Sequence, residues 1–254
     1  MQLHKSLYNA NNGVDFLYPD SPDLAQQFAQ YKLLIVPALY ISDDTLLKAI
    51  ADYVKNGGHV LMTFKSGFAN ENSAVRWERA PGPLREAAGF NYQEFSSLEK
   101  PLALKGDPYK VGAANQVTQW VEFLQLEKAE ALAYYDHPFF GKWPAITRNH
   151  YGSGEFVYEG TQLSDELQAK LVRDSLKSAG ITSPDQSLPM GVHVKSGTNR
   201  AGKQIHYYMN FASNPATVPY TYAPGKDLLT NTTISAKAKL TLQPWDLIII
   251  EEDK

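Results

Sequence analysis

The chain predicts an α/β core followed by a smaller antiparallel β domain, and three observations carry that expectation. Tyr31 to Gly67 reads as strand, helix, strand. Leu163 to Ala179 repeats the helical stripe, and beyond Pro189 the apolar pattern changes to period two. In the first stretch, Leu33 to Pro37 and Val60 to Phe64 are short apolar runs, while Leu46, Leu47, Ile50 and Val54 recur at helical spacing. Two buried strands joined by a covering helix make a parallel crossover, right-handed in nearly all proteins. Ser42 or Asp43 can cap the helix, Asp43 and Asp44 lie near its positive end, and Gly57 suits a left-handed residue past its last turn.

In chain order, Met1 opens inside a helix whose Leu3, Leu7 and Tyr8 share a face and which Asn9 to Gly13 ends. Val14 to Tyr18 reads as a short strand closed by Pro19. Ser21 to Gln30 reads as a brief helix with Ser21 as cap, Pro22 at its first position, and Leu24 and Phe28 facing inward. After the central unit comes a long polar loop, Phe68 to Trp77, of the kind more often functional or interfacial than merely connecting. Leu84 to Ala88 is a short helix ended by Gly89. Tyr92 with Phe95, Leu102 to Leu104, and Ala129 to Tyr134 read as strands, and the alternation within Ala114 to Phe123 suits an edge strand. Pro144 to Thr147 and Gly154 to Tyr158 form a hairpin turning on Asn149 to Ser153, an antiparallel edge to the sheet.

In the late helix Ser164 is the cap, Asp165 and Glu166 occupy the first turn, Leu167, Leu171, Val172 and Leu176 form the stripe, and Gly180 terminates it. Pro184 to Pro189 marks a boundary, which divides the chain into domains 1–185 and 189–254. Val192 to Lys195, Gln204 to Phe211, Thr217 to Tyr220, Lys239 to Leu242 and Leu247 to Glu251 then make a small antiparallel sandwich or barrel.

The 254 residues suffice for one large domain or two modest ones, and a net charge of -3 gives no basic footprint, so nucleic acid is not an expected partner. No apolar run approaches the roughly 20 residues that cross a bilayer, and MQLHKSLYNANNG has no signal-peptide pattern, which favours the cytoplasm. Without cysteine there are no disulfides, thiolate metal sites or cysteine nucleophiles.

The block LLIVPALYISDDTLLKAIADYVKNGGHVLMTFKSG, the following Asn70-Glu71-Asn72 and the run PGPLREAAGF at Pro81 to Phe90 resemble the trimerisation domain of the family 42 glycoside hydrolases, bacterial β-galactosidases. The tail LQPWDLIII, Leu242 to Ile250, is similar to the small β-domain that closes those enzymes. The resemblance covers nearly the whole chain. It implies a flavodoxin-like, doubly wound sheet, similar to class I glutamine amidotransferases, used for assembly into a homotrimer rather than for chemistry. It also implies a (β/α)8 barrel ahead of these domains that carries both catalytic glutamates and the galactoside site, and a strand before the first helix. This sequence has neither, so no catalytic residue carries over.

Ligands of such sheets sit beyond the carboxyl ends of the strands, which directs attention to Pro37 to Ile41 and Lys65 to Asn72. Glu71, Glu78 and Glu94 are candidate carboxylates, but retaining hydrolysis needs two carboxyls about 5 to 5.5 Å apart. With nothing to converge them they read as solvated charge. Lys65-Ser66-Gly67 after the second strand lacks the glycine pattern of a nucleophile elbow, Ser66 reads as a loop hydroxyl, and His59 starts the strand at its far end. His137, His150, His193 and His206 do not pair at ligand spacing, and His206 reads as a solvent-side residue; no metal or cofactor is expected. Trp120 and Trp245 read as packed by their apolar neighbours, and Trp77 beside Arg76 and Arg79 as an interface residue. The assigned ligand or interface positions are therefore Asn70, Glu71, Asn72, Arg76 and Trp77. Two alternatives stand beside assembly: a carbohydrate-binding module using the tyrosines of the β domain, and a small-molecule sensor with its cleft near Pro37 and Lys65.

Overall fold

A computed structural model describes residues 2–253. The chain divides into two compact units. Residues 15–181 form the larger; residues 3–14 and 182–253 belong to the smaller. Helix α1 (Gln2–Asn9) therefore goes with the C-terminal unit, where a single domain 1–185 was expected. The reason is local. Asn11 donates from Nδ2 to the carbonyls of Asp185 (3.0 Å) and Val192 (3.2 Å) and accepts from Val194 N–H at 2.9 Å, and Tyr8 lies against His193 with ring centroids 4.1 Å apart.

The larger unit begins without the expected strand: residues 14–18 are irregular. Helix α2 (Leu24–Phe28) buries Leu24 and Phe28, but Asp23 holds the cap position without a side-chain hydrogen bond, and Ser21 serves by its backbone carbonyl. Strand β1 (Leu33–Val36), helix α3 (Asp44–Lys55) and strand β2 (His59–Thr63) make the parallel crossover. Asp43 is the cap, accepting from Leu46 N–H at 2.7 Å, with Asp44 in the first turn and Lys55 in the last, so both ends complement the helix dipole. Asp43→Ala is expected to destabilise the unit by about 1 kcal/mol, read as a lower denaturant midpoint with an unchanged slope.

Next come α4 (Arg85–Ala88), β3 (Phe90–Asn91), β4 (Phe95–Ser97), β5 (Val117–Glu122), β6 (Gln125–Leu126), β7 (Glu130–Tyr134), β8 (Pro144–Tyr151), β9 (Gly154–Glu159), β10 (Thr161–Leu163) and α5 (Asp165–Ser178). The main sheet has the order β1-β2-β9-β8-β7, with β1, β2 and β9 parallel and β8 antiparallel to both neighbours. The β8–β9 hairpin is tighter than expected, since Tyr151 already pairs with Gly154. Leu102 and Leu104 make only isolated bridges rather than a strand. A satellite sheet orders β10-β5-β4, and β3 pairs with β6.

Because side chains alternate across a strand, Val60, Met62, Phe156 and Tyr158 pack with Leu47, Ile50 and Val54 of α3, while Leu61 and Val157 point to the other face. There α5 supplies Leu167, Leu171, Val172 and Leu176, with Ser164 as its cap. The sheet is thus buried on both faces.

In the smaller unit, β11 (Val192–Thr198), β12 (Gln204–Asn210), β13 (Ala216–Pro219), β14 (Gly225–Asp227), β15 (Thr233–Ile234), β16 (Lys239–Leu242) and β17 (Leu247–Glu252) form an antiparallel sheet β11-β12-β17-β14-β15 and a ribbon β13-β16. Val192, Val194, Tyr208 and Ile250 meet Val218, Leu240 and Leu242 in one core. His206, expected toward solvent, is 2% exposed. Its row faces inward with Tyr208, and it is held by Ser196 Oγ (2.7 Å from Nδ1), Glu252 (2.9 Å from Nε2) and the Tyr222 ring, stacked at 3.8 Å. Trp245, expected to be packed, is 71% exposed in a tight turn with φ +60.

Candidate functional site

The carboxyl ends of β1 and β2 carry two loops sewn together by side chains the sequence places between apolar runs. Thr63 Oγ1 accepts from Ala38 N–H at 2.7 Å. Ser66 Oγ accepts from Leu39 N–H at 3.0 Å and donates to the Thr63 carbonyl at 2.7 Å. Ser66 is fully buried, a loop hydroxyl as read from the sequence, and His59 sits at the other end of β2 beside Glu155. Ala69 bridges Ile41 on one side and Val75 on the other, making a small ribbon of the rim.

The tip of that ribbon is shaped by Asn70, whose Oδ1 accepts from Asn72 N–H and Ala74 N–H, both at 3.0 Å. Such a side chain imitates a backbone turn. Glu71 and Asn72 are exposed at the tip, where Asn72 Nδ2 approaches Glu71 at 3.4 Å. Arg76 turns inward: its side chain is 6% exposed, and its guanidinium pairs with Asp44 and donates to the Ser42 carbonyl at 2.6 Å. It braces the loop against the start of α3. Trp77, the next residue, is 91% exposed, and Val75 63%. The five assigned positions thus fall on one loop with distinct jobs: Asn70 and Arg76 fix its shape, and Glu71, Asn72 and Trp77 face outward. Glu78 and Glu94 are also exposed.

Behind the rim lies a feature that the sequence reading missed. Glu122, at the end of β5, is fully buried and accepts from Lys65 N–H (2.8 Å), Tyr158 Oη (2.8 Å) and Trp120 Nε1 (3.2 Å). Burial pushes its carboxyl up to about 7 against these donors. Lys65, in the left-handed region at φ +63, lays its ammonium 3.8 Å from the centre of the Trp120 ring. Trp120 stacks on Phe95 at 4.4 Å, Phe95 meets Phe68 edge-on, and Phe68 stacks on Tyr40. Tyr40 and Phe95 in this row are each 41% exposed. A second buried carboxyl, Glu159 at the end of β9, has Gln168 Nε2 at 2.7 Å, and burial pushes it up to about 8. The signal in the sequence was an acid directly after apolar strand residues, Val121-Glu122 and Val157-Tyr158-Glu159.

Among the described residues no group of His, Asp and Glu is arranged to hold a metal ion, and no helix is long and apolar enough to cross a membrane. In the smaller unit the tyrosines on which a sugar-binding reading depends are mostly core: Tyr208 and Tyr220 are fully buried and Tyr222 is covered by His206.

Against known proteins, the family model described as "Beta-galactosidase trimerisation domain" matches residues 1–182. The β-galactosidase LacZ of Heyndrickxia coagulans is 32% identical over 194 residues, 76% of this chain and 28% of its own length. The β-galactosidase LacA of Lactobacillus acidophilus is 27% identical over 257 residues, 98% of this chain and 36% of its own length. The crystal structure of a β-galactosidase from Bacillus circulans sp. alkalophilus superimposes with a TM-score of 0.85 at 26% identity, covering 99% of this chain and 36% of that one. The chain spans about a third of the length of the curated relatives it matches.

Proposed function

Because the chain belongs to the trimerisation-domain family of the family 42 β-galactosidases, we propose that it is the assembly portion of such an enzyme, holding three copies together. The cleavage of terminal β-galactosides belongs, on this reading, to a catalytic barrel outside these residues. The observation that carries the assembly role is Trp77: a tryptophan 91% exposed on a loop that Arg76 and Asn70 hold rigid. Large aromatics presented on ordered loops are characteristic anchors of protein interfaces, and with Val75 and the outward Glu71 and Asn72 it forms the contact to a neighbouring copy. The same reading takes the larger unit as flavodoxin-like, supported by the β1–α3–β2 crossover and by helices on both faces of a largely parallel sheet.

Light scattering tests it. The unaltered chain is expected to self-associate at roughly micromolar concentration, and Trp77→Ala to weaken association by about tenfold or more, while Trp245→Ala in the smaller unit leaves it unchanged. A strictly monomeric unaltered chain, or equal effects of the two substitutions, would remove the Trp77 contact.

A further inference from the structure

On β11 the residues that face the core of the smaller unit are Val192 and Val194, and the next on that face is Ser196, which is exposed. On β12 the inward row is Asn210, Tyr208 and His206, and Ser196 and His206 are cross-strand partners. Two bonds fix the phase of this ladder: Phe211 N–H donates to the Gly191 carbonyl at 2.8 Å, and Asn199 N–H to the Lys203 carbonyl at 2.9 Å. The odd-numbered residues of β11 therefore bond to β12. Ser196 and His206 form a non-hydrogen-bonded pair, the kind whose side chains stand closest.

A third strand completes the set. Ser196 Oγ lies 2.7 Å from His206 Nδ1, and Glu252 Oε1, on β17, lies 2.9 Å from Nε2. A carboxylate only accepts, so Nε2 carries the proton, and the bare Nδ1 accepts from the serine hydroxyl. The buried ring is also held by Tyr222, stacked on it with 16° between the planes, whose Oη donates to Asp185. A hydroxyl and a base at hydrogen-bond distance, with the base oriented by a third group, are the geometric signature of an activated nucleophile. The two ring nitrogens are exchanged relative to the common serine triad, but the proton has the same path. Because β11 is the edge of its sheet and its even-numbered residues turn outward, as Val194 N–H does toward Asn11, the N–H of Ser196 faces outward beside its own hydroxyl. A backbone N–H in that position can donate to a developing oxyanion.

We propose that Ser196, His206 and Glu252 form an acyl-transfer centre for small esters with good leaving groups, an activity separate from assembly. Ser196 Oγ attacks the ester carbonyl carbon while its proton passes to His206 Nδ1, and Glu252 stabilises the imidazolium through Nε2–H. The bond from the carbonyl carbon to the alcohol oxygen then breaks, and that oxygen takes the proton from Nδ1, which leaves acyl-Ser196 and a neutral imidazole. Water, giving its proton to the same nitrogen, cleaves the acyl-serine to the free acid and restores the hydroxyl. With a single outward N–H to meet the oxyanion, the centre is confined to esters of acidic alcohols such as phenols, and amides are not substrates.

The test uses the whole chain and p-nitrophenyl acetate, with phenolate release followed by absorbance and the acid-quenched protein mapped by mass spectrometry. Release is expected to exceed that of the buffer, and the quenched protein to carry an acetyl group on Ser196. Ser196→Ala changes an exposed side chain and leaves the core intact, and it is expected to bring release to the buffer rate. His206→Gln is expected to lower release at least about 100-fold, whereas Ser187→Ala, at an exposed serine of the same unit, leaves it unchanged. Release no faster than buffer, undiminished release by Ser196→Ala, or acetyl groups only on lysine, tyrosine or histidine would each overturn the proposal. Because the serine variant retains the buried His206 and Glu252, its result stands even if His206→Gln fails to fold.

Discussion

Stability is expected to fall as the pH rises from about 4.5 to about 8, and Glu159→Gln to remove most of that fall. Glu159 is fully buried with a single hydrogen-bond partner, Gln168, and burial holds its proton in the folded state to about pH 8, whereas an unfolded chain releases it near 4.5. Between those values the folded chain binds more protons than the unfolded one. A raised folded-state value therefore contributes stability that is present at low pH and lost as the pH climbs through the window. For one wholly buried carboxyl with this separation the loss is on the order of 4 kcal/mol. Glutamine preserves the shape of the site and has no proton to release. Melting temperatures of the chain and of Glu159→Gln from pH 5 to pH 9 decide the matter: the variant is expected to match the parent at the acidic end and exceed it at the basic end. A residual fall should survive below about 7, where Glu122 titrates, and be removed when Glu122→Gln is added, leaving the opposite, rising dependence of His193, whose value burial lowers. Parallel curves for parent and variant would mean that the Glu159 proton plays no part.

Gly152→Ala is expected to destabilise the larger unit by about 3 kcal/mol or more, the sum of a backbone term and an overlap. Gly152 turns the β8–β9 hairpin at φ +61, and a β-carbon there would lie 2.1 Å from the Lys55 carbonyl oxygen and 2.7 Å from its Cα. Those are backbone atoms at the end of α3 and cannot swing aside as a flexible side-chain end does. The hairpin must lift from the helix, taking Phe156 and Tyr158 with it, both fully buried against α3. Gly106→Ala separates the two contributions: Gly106 also has positive φ, +74, with nothing within 4 Å of its would-be β-carbon. Its replacement is expected to shift the denaturation midpoint by the strain alone, about 1 kcal/mol. Equal midpoints for the two variants would show that the close approach to Lys55 is relieved without loss.

The elements legible in the sequence were those in which one local signal suffices. Asp43 and Ser164 head apolar stripes, Gly89 and Gly180 end helices in the left-handed region, and β1–α3–β2 shows its crossover in the run lengths alone. What escaped depends on partners distant in the chain. Residues 14–18 have strand composition, but a strand exists only where a neighbour offers its ladder. Period-two spacing groups His206 with Tyr208 and Asn210, yet does not say which row is covered. Trp245 has apolar neighbours in sequence, yet its turn aims it outward. At the rim, the polar loop and its tryptophan were legible from composition. The inward turn of Arg76 toward Asp44 and Ser42, and the burial of Glu122 beneath Lys65, depend on contacts of 32 to 57 residues' separation.

The membership of residues 3–14 in the smaller unit has a consequence for how that unit is made. A ribosome delivers α1 ahead of the whole larger unit and its packing partners, Asp185, Val192, Val194 and His193, only afterwards. The helix is too short to be stable by itself in water, so it must wait, uncommitted, through the synthesis of some 167 intervening residues (15–181). A cut at 181/182 would therefore leave the larger unit whole but part the smaller one from its helix. Excision of the β module requires carrying its helix along by a new peptide join, as in a circular permutation.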